Sequence, residues 1–418
     1  MISLFDFKRE LHKHTKTLAM FFLVFAVLLI YLAPFVAFEQ SSRQASLVRV
    51  SLLISSVLFV TVSFEGLKSF CLVRFSYLYF FVLLLFSYLF LNSLFLSDDF
   101  KSIRRLLLLL VLFIPFLYVD INERKVRFIL IFIVAVISFF AAFSLLNHYI
   151  NGTLPQGYRR DGLIDSGIPQ IASFGNTIIS GMHYAIAFSI VTYLYFTERN
   201  YFLLLLWGAL KLIVIVYIAL TFARTAWVAA FVSFIVLFLM TFDKKKIRFY
   251  ILIMLAVPVV VFFLLNYIGY EIGERGLTHR DKIWKASILK IEENWIFGHG
   301  LLNSIGWVCI DDGKRCFNNS HSLYLEIIYQ VGLVGLLLYL CCIFSAAYVL
   351  FKSFTLKVFG SLSVLFIAVL SSISVVMTVD IIGWINSPGL VWMWLWLPLA
   401  VSIVFERKLN TVNIINNV

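Results

Sequence analysis

The residues best suited to chemistry stand at the end of a polar stretch, about 270–322, in an otherwise apolar chain. His321 lies there in the sequence Asn-Ser-His-Ser and directly precedes an apolar run that begins at Leu323. Asn and Ser are preferred helix N-caps, so the His321 imidazole is expected at the mouth of a helix. A helix N-terminus disfavours a charged ring, and a general base must be neutral. His321 is therefore the first candidate for a general base; the alternative is a structural histidine.

Basic residues are the second chemical feature of this stretch. They are Arg275, Arg280, Lys282, Lys285, Lys290, Lys314 and Arg315. Read as a helix, residues 280–295 carry one apolar stripe that begins with Arg280. The stripe consists of Trp284, Ser287, Ile288, Ile291 and Trp295. A solvated arginine more often occupies the polar face, so Arg280 is expected to point inward from a helix in the membrane interface. The alternative is a helix-end residue that bends back to water.

Arg224 stands in a very short turn between two apolar runs, in the sequence Thr-Phe-Ala-Arg-Thr-Ala-Trp. No long loop carries this charge away, so the guanidinium is expected at the membrane–water boundary. Its planar fork suits a phosphate group better than a point charge does. The alternative is a snorkelling anchor. The other basic residues on the same side are Arg43, Arg49, Lys101, Arg104, Arg105, Arg159 and Arg160, and we expect several of them to be ordinary interfacial or snorkelling side chains.

Four further polar residues fall within apolar runs: Glu65, His183, Lys211 and Glu326. Each is costly in hydrocarbon and is a functional candidate by default, although a structural hydrogen bond or ion pair is favoured for Lys211. His299, between two glycines, competes with His321 as the base, and His183 is a weaker candidate. The sequence has no paired metal-ligand spacing and no phosphate-cradling glycine loop, so a metal site and an ATP-driven transporter are not indicated.

The elements that must position these residues are membrane spans. Of 418 residues, 62% are hydrophobic and 13% are charged, and the mean hydropathy is +0.98. Apolar runs of roughly twenty residues are long enough to cross a bilayer. The sequence predicts an all-α polytopic membrane protein with about twelve spans. They lie near 17–38, 46–64, 76–97, 103–119, 126–149, 174–197, 201–221, 224–242, 247–267, 323–351, 355–379 and 389–405. Residues 1–418 form one transmembrane domain in this prediction, with one large loop at 268–322 that contains short amphipathic helices.

Loop charge predicts the orientation of these spans. With the N-terminus inside, short cytoplasmic loops and tails collect a large share of the basic residues, such as Lys8, Lys13, Arg124, Lys244 and Arg407. Both termini are then cytoplasmic, and the 268–322 loop is periplasmic. The net charge of +12 is mostly this topology signal and suits anionic lipid headgroups, so nucleic-acid binding is not indicated. No small-residue cleavage site follows the first apolar run, so a cleavable signal peptide is not expected.

Two of the five cysteines, Cys309 and Cys316, fall in the large loop as Cys-Ile-Asp-Asp-Gly-Lys-Arg-Cys. In an oxidising compartment this pair is expected to close a tight hairpin with a disulfide, against the alternative of two free thiols.

Taken in order, these residues resemble the bacterial O-antigen ligase/polymerase superfamily of polytopic membrane glycosyltransferases. The resemblance runs from about Gly175 to Tyr339 and rests on four pieces. They are Gly175-Asn176-Thr177, Arg224-Thr225-Ala226-Trp227, Arg280 to Trp284 followed by Trp295 to Gly300, and His321 to Leu325 followed by Val331 to Gly335. The chain departs from the family pattern at Gln330, where an acidic residue is expected, and at Ser322, where Asn is common.

The resemblance implies a transfer at the periplasmic face of the bacterial inner membrane, among its lipids. The donor would be a glycan on undecaprenyl pyrophosphate, and the acceptor a sugar hydroxyl of lipid A–core oligosaccharide. His321 matches the base, and Arg224 and Arg280 match the pyrophosphate-binding arginines. Other candidates for substrate contact are Arg159, Arg160, Trp284, His299 and Tyr324. Guanidinium groups neutralise a pyrophosphate leaving group and an imidazole takes the hydroxyl proton, so an inverting reaction needs neither metal nor cofactor.

Three other functions remain open at this level. An O-antigen polymerase uses the same donor with a second lipid-linked glycan, and a protein O-oligosaccharyltransferase uses a Ser or Thr hydroxyl. A lipid-glycan transporter without chemistry is the alternative from another class, but it predicts inverted repeats and broken helices that the sequence does not indicate.

Overall fold

The computed structural model describes residues 4–36, 41–63, 77–97, 100–155, 162–241, 279–310, 315–317, 319–380 and 383–416. The helices of this part are α1 (Leu4–Val36), α2 (Ser41–Ser63), α3 (Tyr77–Leu96), α4 (Lys101–Tyr118), α5 (Glu123–Ile150), α6 (Thr177–Thr197), α7 (Tyr201–Leu220), α8 (Arg224–Thr241), α9 (Arg280–Ile291), α10 (Leu323–Thr355), α11 (Gly360–Val376) and α12 (Leu397–Asn416). A 3-10 turn, Glu292–Asn294, follows α9, and a π-helical turn, Trp392–Trp396, precedes α12. The strands β1 (Val308–Ile310) and β2 (Arg315–Phe317) pair antiparallel.

The chain is an all-α polytopic membrane protein, as the apolar runs predict. Within the described ranges, eight helices are long and apolar enough to cross a bilayer: α1, α2, α3, α5, α6, α7, α8 and α10. The predicted spans near 103–119 and 355–379 coincide with α4 and α11, and the span near 389–405 covers the π-helical turn and the first part of α12. Helix α4 carries three basic residues near its start, and α11 is shorter than the others. The predicted span near 247–267 lies outside the described residues.

Asparagine side chains begin three of the spanning helices. Asn122 Oδ1 accepts hydrogen bonds from the backbone N–H groups of α5. Asn176 and Asn200 do the same for α6 and α7. Each bond satisfies an N–H group that has no partner inside the helix. The ends of these helices are therefore set by local sequence.

Contacts between helix ends divide the bundle into two ends. At one end, Leu163 N donates to the Leu220 carbonyl (3.0 Å) and Ala172 N to the Phe35 carbonyl (3.1 Å). His321 belongs to this end, which we call the His321 end. At the other, Arg127 pairs with Glu198 (2.8 Å). Lys16 and Arg407 pair with Asp120 there at 3.6 and 3.4 Å. Consecutive helices within each described range run alternately between the two ends.

Helix α10 is broken at Gly332, whose φ is 69° and ψ is −176°. The segment that follows α9 pairs with the break. Leu333 N donates to the Trp295 carbonyl (2.8 Å), and Gly300 N donates to the Gln330 carbonyl (2.9 Å). A Cβ at Gly332 would meet the Ile296 carbonyl oxygen at 2.0 Å, so only glycine allows this close approach. The break therefore holds residues 295–300, which follow α9, against α10 near Gly332.

Candidate functional site

Asp380 brings together two residues that the sequence singles out. Its Oδ2 lies 3.5 Å from Nη2 of Arg280, and its Oδ1 lies 3.9 Å from Nδ1 of His321. The three side chains are 15%, 28% and 6% exposed for Arg280, His321 and Asp380 respectively. A carboxylate between an arginine and an imidazole can orient both side chains by charge-assisted contacts.

Two helix ends carry this arrangement. The backbone N–H of Leu323, the first residue of α10, donates to the carbonyl of Met377 just beyond α11 (2.9 Å). Asp380 N donates to the Val376 carbonyl (3.1 Å), so the chain beyond α11 continues the last helical turn. These bonds hold the end of α11 beside the start of α10. They therefore set Asp380 next to His321.

The backbone of His321 lies in the left-handed region, with φ at 49°. Its N–H donates to Asn319 Oδ1 (3.0 Å), and Ser322 N donates to Ser320 Oγ (3.3 Å). Such short polar side chains stabilise tight turns. Ser322 is the N-cap of α10, but its hydroxyl makes no capping bond. The Asn-Ser-His-Ser sequence thus works mainly as a turn that presents the imidazole, at a modest backbone cost typical of functional sites.

A buried polar chain supports this turn from beneath. Ser320 Oγ donates to Glu326 Oε2 (3.3 Å), and Gln330 Nε2 donates to Glu326 Oε1 (3.3 Å). Gln330 Oε1 accepts from Trp384 Nε1 (3.1 Å) and Leu302 N (3.4 Å). The amide at Gln330 both donates and accepts, which an ionised carboxylate at this position would not do. The departure from the family pattern therefore has a structural role here.

Helix α9 packs on a face that is offset from the predicted stripe. Ile283, Ser287 and Ile291 are buried, whereas Ile288 and Trp295 are about half exposed. Ser287 and Ile291 of the predicted stripe lie on this buried face, whereas Ile288 lies off it and Trp295 falls beyond the helix, which ends at Ile291. Arg280 nevertheless points into the protein, toward Asp380.

Arg224 is the first residue of α8 and lies at the His321 end. Its turn is held by Thr221, whose hydroxyl oxygen accepts from Ala223 N (3.3 Å), and by Trp227 Nε1, which donates to the Ile218 carbonyl (3.0 Å). Phe222 adopts a positive φ of 51°. Arg224 is half-buried and stands outside the Arg280–Asp380–His321 contacts. Its role in phosphate binding stays a prediction.

The remaining predicted contact residues divide into three groups. His299 stacks on Tyr329 with ring centroids 4.3 Å apart, and its Nε2 donates to the Lys290 carbonyl (3.2 Å). Tyr324 donates its hydroxyl to the Ser374 carbonyl (2.9 Å). Both side chains are therefore bonded to backbone carbonyl groups. Trp284 Nε1 is buried without a hydrogen-bond partner among the described residues. Arg159 and Arg160 lie outside those residues.

The Cys309 and Cys316 side chains form a disulfide across β1 and β2, where the two residues face each other in the register. Val308 of the same hairpin packs with Ile283 of α9 and Ile305 in a small apolar cluster. Among the described residues, this two-stranded hairpin is the β-sheet of an otherwise helical protein. Through this cluster it contacts the helix that carries Arg280.

Two intramembrane residues lie within the bundle rather than in the site. His183 is buried, and its Nδ1 lies 2.7 Å from the Ile179 carbonyl. The ammonium of Lys211 lies 4.7 Å from the centroid of the Phe234 ring and 5.2 Å from that of Tyr195. Aromatic faces attract a cation. The described residues thus surround Lys211 with rings instead of the predicted hydrogen bond or ion pair.

Asp380 is the site residue that sequence reasoning missed. A signal was present, because Asp380 is an isolated carboxylate directly after the predicted span 355–379. Ionisable residues in such positions are functional candidates by default. Its two partners cannot be read from the sequence, since Arg280 lies 100 positions away.

Residues 209–340 match the family model described as O-antigen ligase. The matched segment contains Arg224, Arg280 and His321 and ends within α10. None of the curated proteins matches the chain. The match confirms the resemblance that the four sequence pieces predict, over about a third of the chain, and its members are membrane glycosyltransferase-like enzymes with lipid-linked glycan substrates.

Proposed function

We propose that this chain is an O-antigen ligase. It transfers a glycan from undecaprenyl pyrophosphate to a sugar hydroxyl of lipid A–core oligosaccharide, with inversion and without a metal ion. The single observation that carries the proposal is the Asp380 carboxylate between Arg280 and His321. A base and a phosphate-binding cation held by one carboxylate are the two groups that this reaction needs. The family match supports the class of reaction.

His321 acts as the general base in this proposal. Its ring takes the proton of the acceptor hydroxyl as the oxygen attacks the anomeric carbon of the donor glycan. Asp380 Oδ1, near Nδ1, orients the ring and stabilises the positive charge that it gains. The distance of 3.9 Å is longer than a hydrogen bond, and such contacts commonly tighten when substrate binds.

Arg280 and Arg224 bind the pyrophosphate in this proposal. The bond between the anomeric carbon and the phosphate oxygen breaks, and undecaprenyl pyrophosphate leaves with the electron pair. Guanidinium groups stabilise the charge that develops on the leaving oxygen. Attack on the face opposite the leaving group inverts the anomeric carbon, and no covalent enzyme intermediate forms.

The site faces the periplasm in this proposal. The opposite end of the bundle, where Arg407 pairs with Asp120, faces the cytoplasm and is called the Arg407 end. The lysines and arginines near the N-terminus, in the 120–127 turn and in the 242–248 segment support this orientation. Single cysteines introduced at Asp281 and Lys408 of a cysteine-free chain test it. Asp281→Cys should react with an impermeant maleimide in intact spheroplasts. Lys408→Cys should react only after the spheroplasts are lysed. The reverse pattern contradicts the orientation.

A deletion strain tests the reaction itself. A ligase predicts the loss of all long glycan on lipid A–core while polymer remains on the lipid carrier. A core that carries a single repeat indicates a polymerase and contradicts the proposal. Unchanged lipopolysaccharide also contradicts it and favours a protein-modifying transferase or a transporter. Transfer by the purified chain from undecaprenyl-linked glycan to lipid A–core completes the test.

A further inference from the structure

Three arginines at the His321 end take no part in the reaction proposed above. Arg49 lies in α2, and Arg104 and Arg105 lie in the first turns of α4. The two helices pack against each other, and Ser56 Oγ donates to the Val111 carbonyl (3.0 Å). Both helices begin at the His321 end. Arg49 precedes Ser56, and Arg104 precedes Val111, by about two helical turns, so the two arginines lie at a similar depth along the parallel helices. The sequence alone gave no reason to group them.

The three charges act on one another without a described counter-ion. The positive charges of Arg104 and Arg105 are both close enough to repel that of Arg49. Arg49 Nη2 donates to Ser387 Oγ (2.6 Å), and Arg105 Nη1 donates to Asn386 Oδ1 (3.1 Å). Both acceptors are neutral, and no carboxylate of the described ranges forms an ion pair with any of the three. Clustered like charges are unfavourable unless an anion compensates them.

Unused donors accompany the excess charge. A guanidinium has five N–H donors, of which Arg49 and Arg105 each use one in the described part. Arg49 Nε is buried without a hydrogen-bond partner there. Burying a donor without a partner costs free energy. A ligand with several acceptor oxygens would satisfy these groups, and phosphate matches the planar fork of arginine.

One stretch of chain, from Asp380 to Ser387, contacts both these arginines and the residues of the candidate site. Asp380 contacts Arg280 and His321, while Asn386 and Ser387, farther along the same segment, contact Arg105 and Arg49. Between them, Trp384 is anchored to Gln330. The helix that begins with Arg224 packs against α6 and α11, whereas Arg49 and Arg104 lie on the α2–α4 pair. The two groups of cations are therefore carried by different helices.

We propose that Arg49, Arg104 and Arg105 form a second phosphate site, which binds a phosphate group of the acceptor glycolipid. The assignment to the acceptor rests on the proposed function: a transfer between two anionic lipid-linked substrates requires an anion site for each. Arg280 and Arg224 bind the donor. Asn386 and Ser387, which are bonded to Arg105 and Arg49, place the acceptor site next to Asp380 and His321.

Binding measured without donor tests this site. The full chain is purified in phosphatidylcholine nanodiscs, and its affinity is measured for bisphosphorylated lipid A and for the same lipid after phosphatase treatment. The double variant Arg104→Gln/Arg105→Gln is compared with a control at the opposite end of the bundle, Arg124→Gln/Arg199→Gln. The control also removes two arginine charges, both of them exposed. The variant Arg104→Lys/Arg105→Lys keeps the charge and guards against misfolding.

We expect the wild type to bind the phosphorylated lipid at least about tenfold more tightly than the dephosphorylated one, since each charge-assisted bond is worth about one tenfold step or more. The Gln variant should lose this preference, the Lys variant should keep part of it, and the control should match the wild type. Equal affinity for the two lipids, or an unchanged Gln variant, overturns the site. Equal competition by phosphatidylglycerol shows a general headgroup site and overturns the assignment to the acceptor.

Transfer assays separate this inference from the proposed function. Where transfer occurs, the Gln variant should raise the KM for lipid A–core about tenfold and leave the KM for the donor unchanged. An unchanged acceptor KM contradicts the second site and leaves the ligase reaction intact. A wild-type chain that binds the lipid phosphate but transfers no glycan contradicts the ligase reaction and leaves the phosphate site intact.

Discussion

Asp380 Oδ2 lies 3.5 Å from Nη2 of Arg280, a residue 100 positions earlier in the chain. The same carboxylate faces Nδ1 of His321 through its other oxygen. One side chain therefore holds the candidate base and a candidate phosphate-binding cation at the His321 end of the bundle.

His321→Gln should reduce transfer by about 10²–10⁴-fold, because an amide cannot take up the acceptor proton. Donor affinity should stay near that of the wild type. The measurement is turnover by the purified variant on undecaprenyl-linked glycan. His14→Gln, an exposed histidine of α1, is the matched control and should remain active. Near-normal turnover of His321→Gln would exclude the base and direct attention to His299 and Glu326.

Asp380→Asn should lower kcat by at least about 10-fold, because loss of a carboxylate that orients a functional imidazole costs about 10–10²-fold in metal sites and up to about 10⁴-fold in a catalytic triad. The KM for the acceptor should change little, because Asp380 acts through His321 and not on the acceptor. Asp380→Glu should recover part of the activity. A rise in acceptor KM at constant kcat would contradict the positioning role.

Arg280→Ala should weaken donor use at least tenfold, since a charge-assisted hydrogen bond is worth about 1.5–3 kcal/mol. Lys should rescue it only in part, because an ammonium lacks the planar fork. Arg224→Ala should behave in the same way. Binding of the lipid-linked donor is the measurement, and Arg199→Ala at the other end is the control. Unchanged affinity in both alanine variants, at normal expression, would contradict the assignment.

The Cys309–Cys316 disulfide should be found by mass spectrometry of protein isolated without reductant. The double variant Cys309→Ser/Cys316→Ser should fold, with a loss of about 2 kcal/mol for so short a loop. Its activity should fall, because the hairpin packs on the helix that carries Arg280. Two free thiols in the native protein would refute the bond.

Gly332→Ala should destabilise the protein by at least about 1–3 kcal/mol, the cost of a strained backbone, and by more if the chain cannot shift. The added Cβ would meet the Ile296 carbonyl oxygen at 2.0 Å. Gly208→Ala is the control, because its Cβ would meet nothing closer than 3.6 Å. Thermal unfolding of the two variants in detergent is compared. Equal stability would show that α10 is not broken at Gly332.

Local sequence determines much of this molecule. The apolar runs predict the described spanning helices because twenty apolar residues can satisfy their backbone only as a helix in a bilayer. The asparagine caps mark where helices begin, and the short spacing of Cys309 and Cys316 suggests their hairpin. Residue types also single out Arg280 and His321, whose chemistry suits a transfer reaction, although their roles stay predictions.

Only the tertiary structure decides which helix ends meet. Asp380 acquires its partners because the end of α11 is bonded to the start of α10 and α9 packs against α10. Arg49 and Arg104 become neighbours because α2 and α4 lie side by side. The break at Gly332 depends on carbonyl groups from a segment that precedes α10 by more than twenty residues. Composition and periodicity describe each helix alone, and these contacts arise between helices that are far apart in sequence.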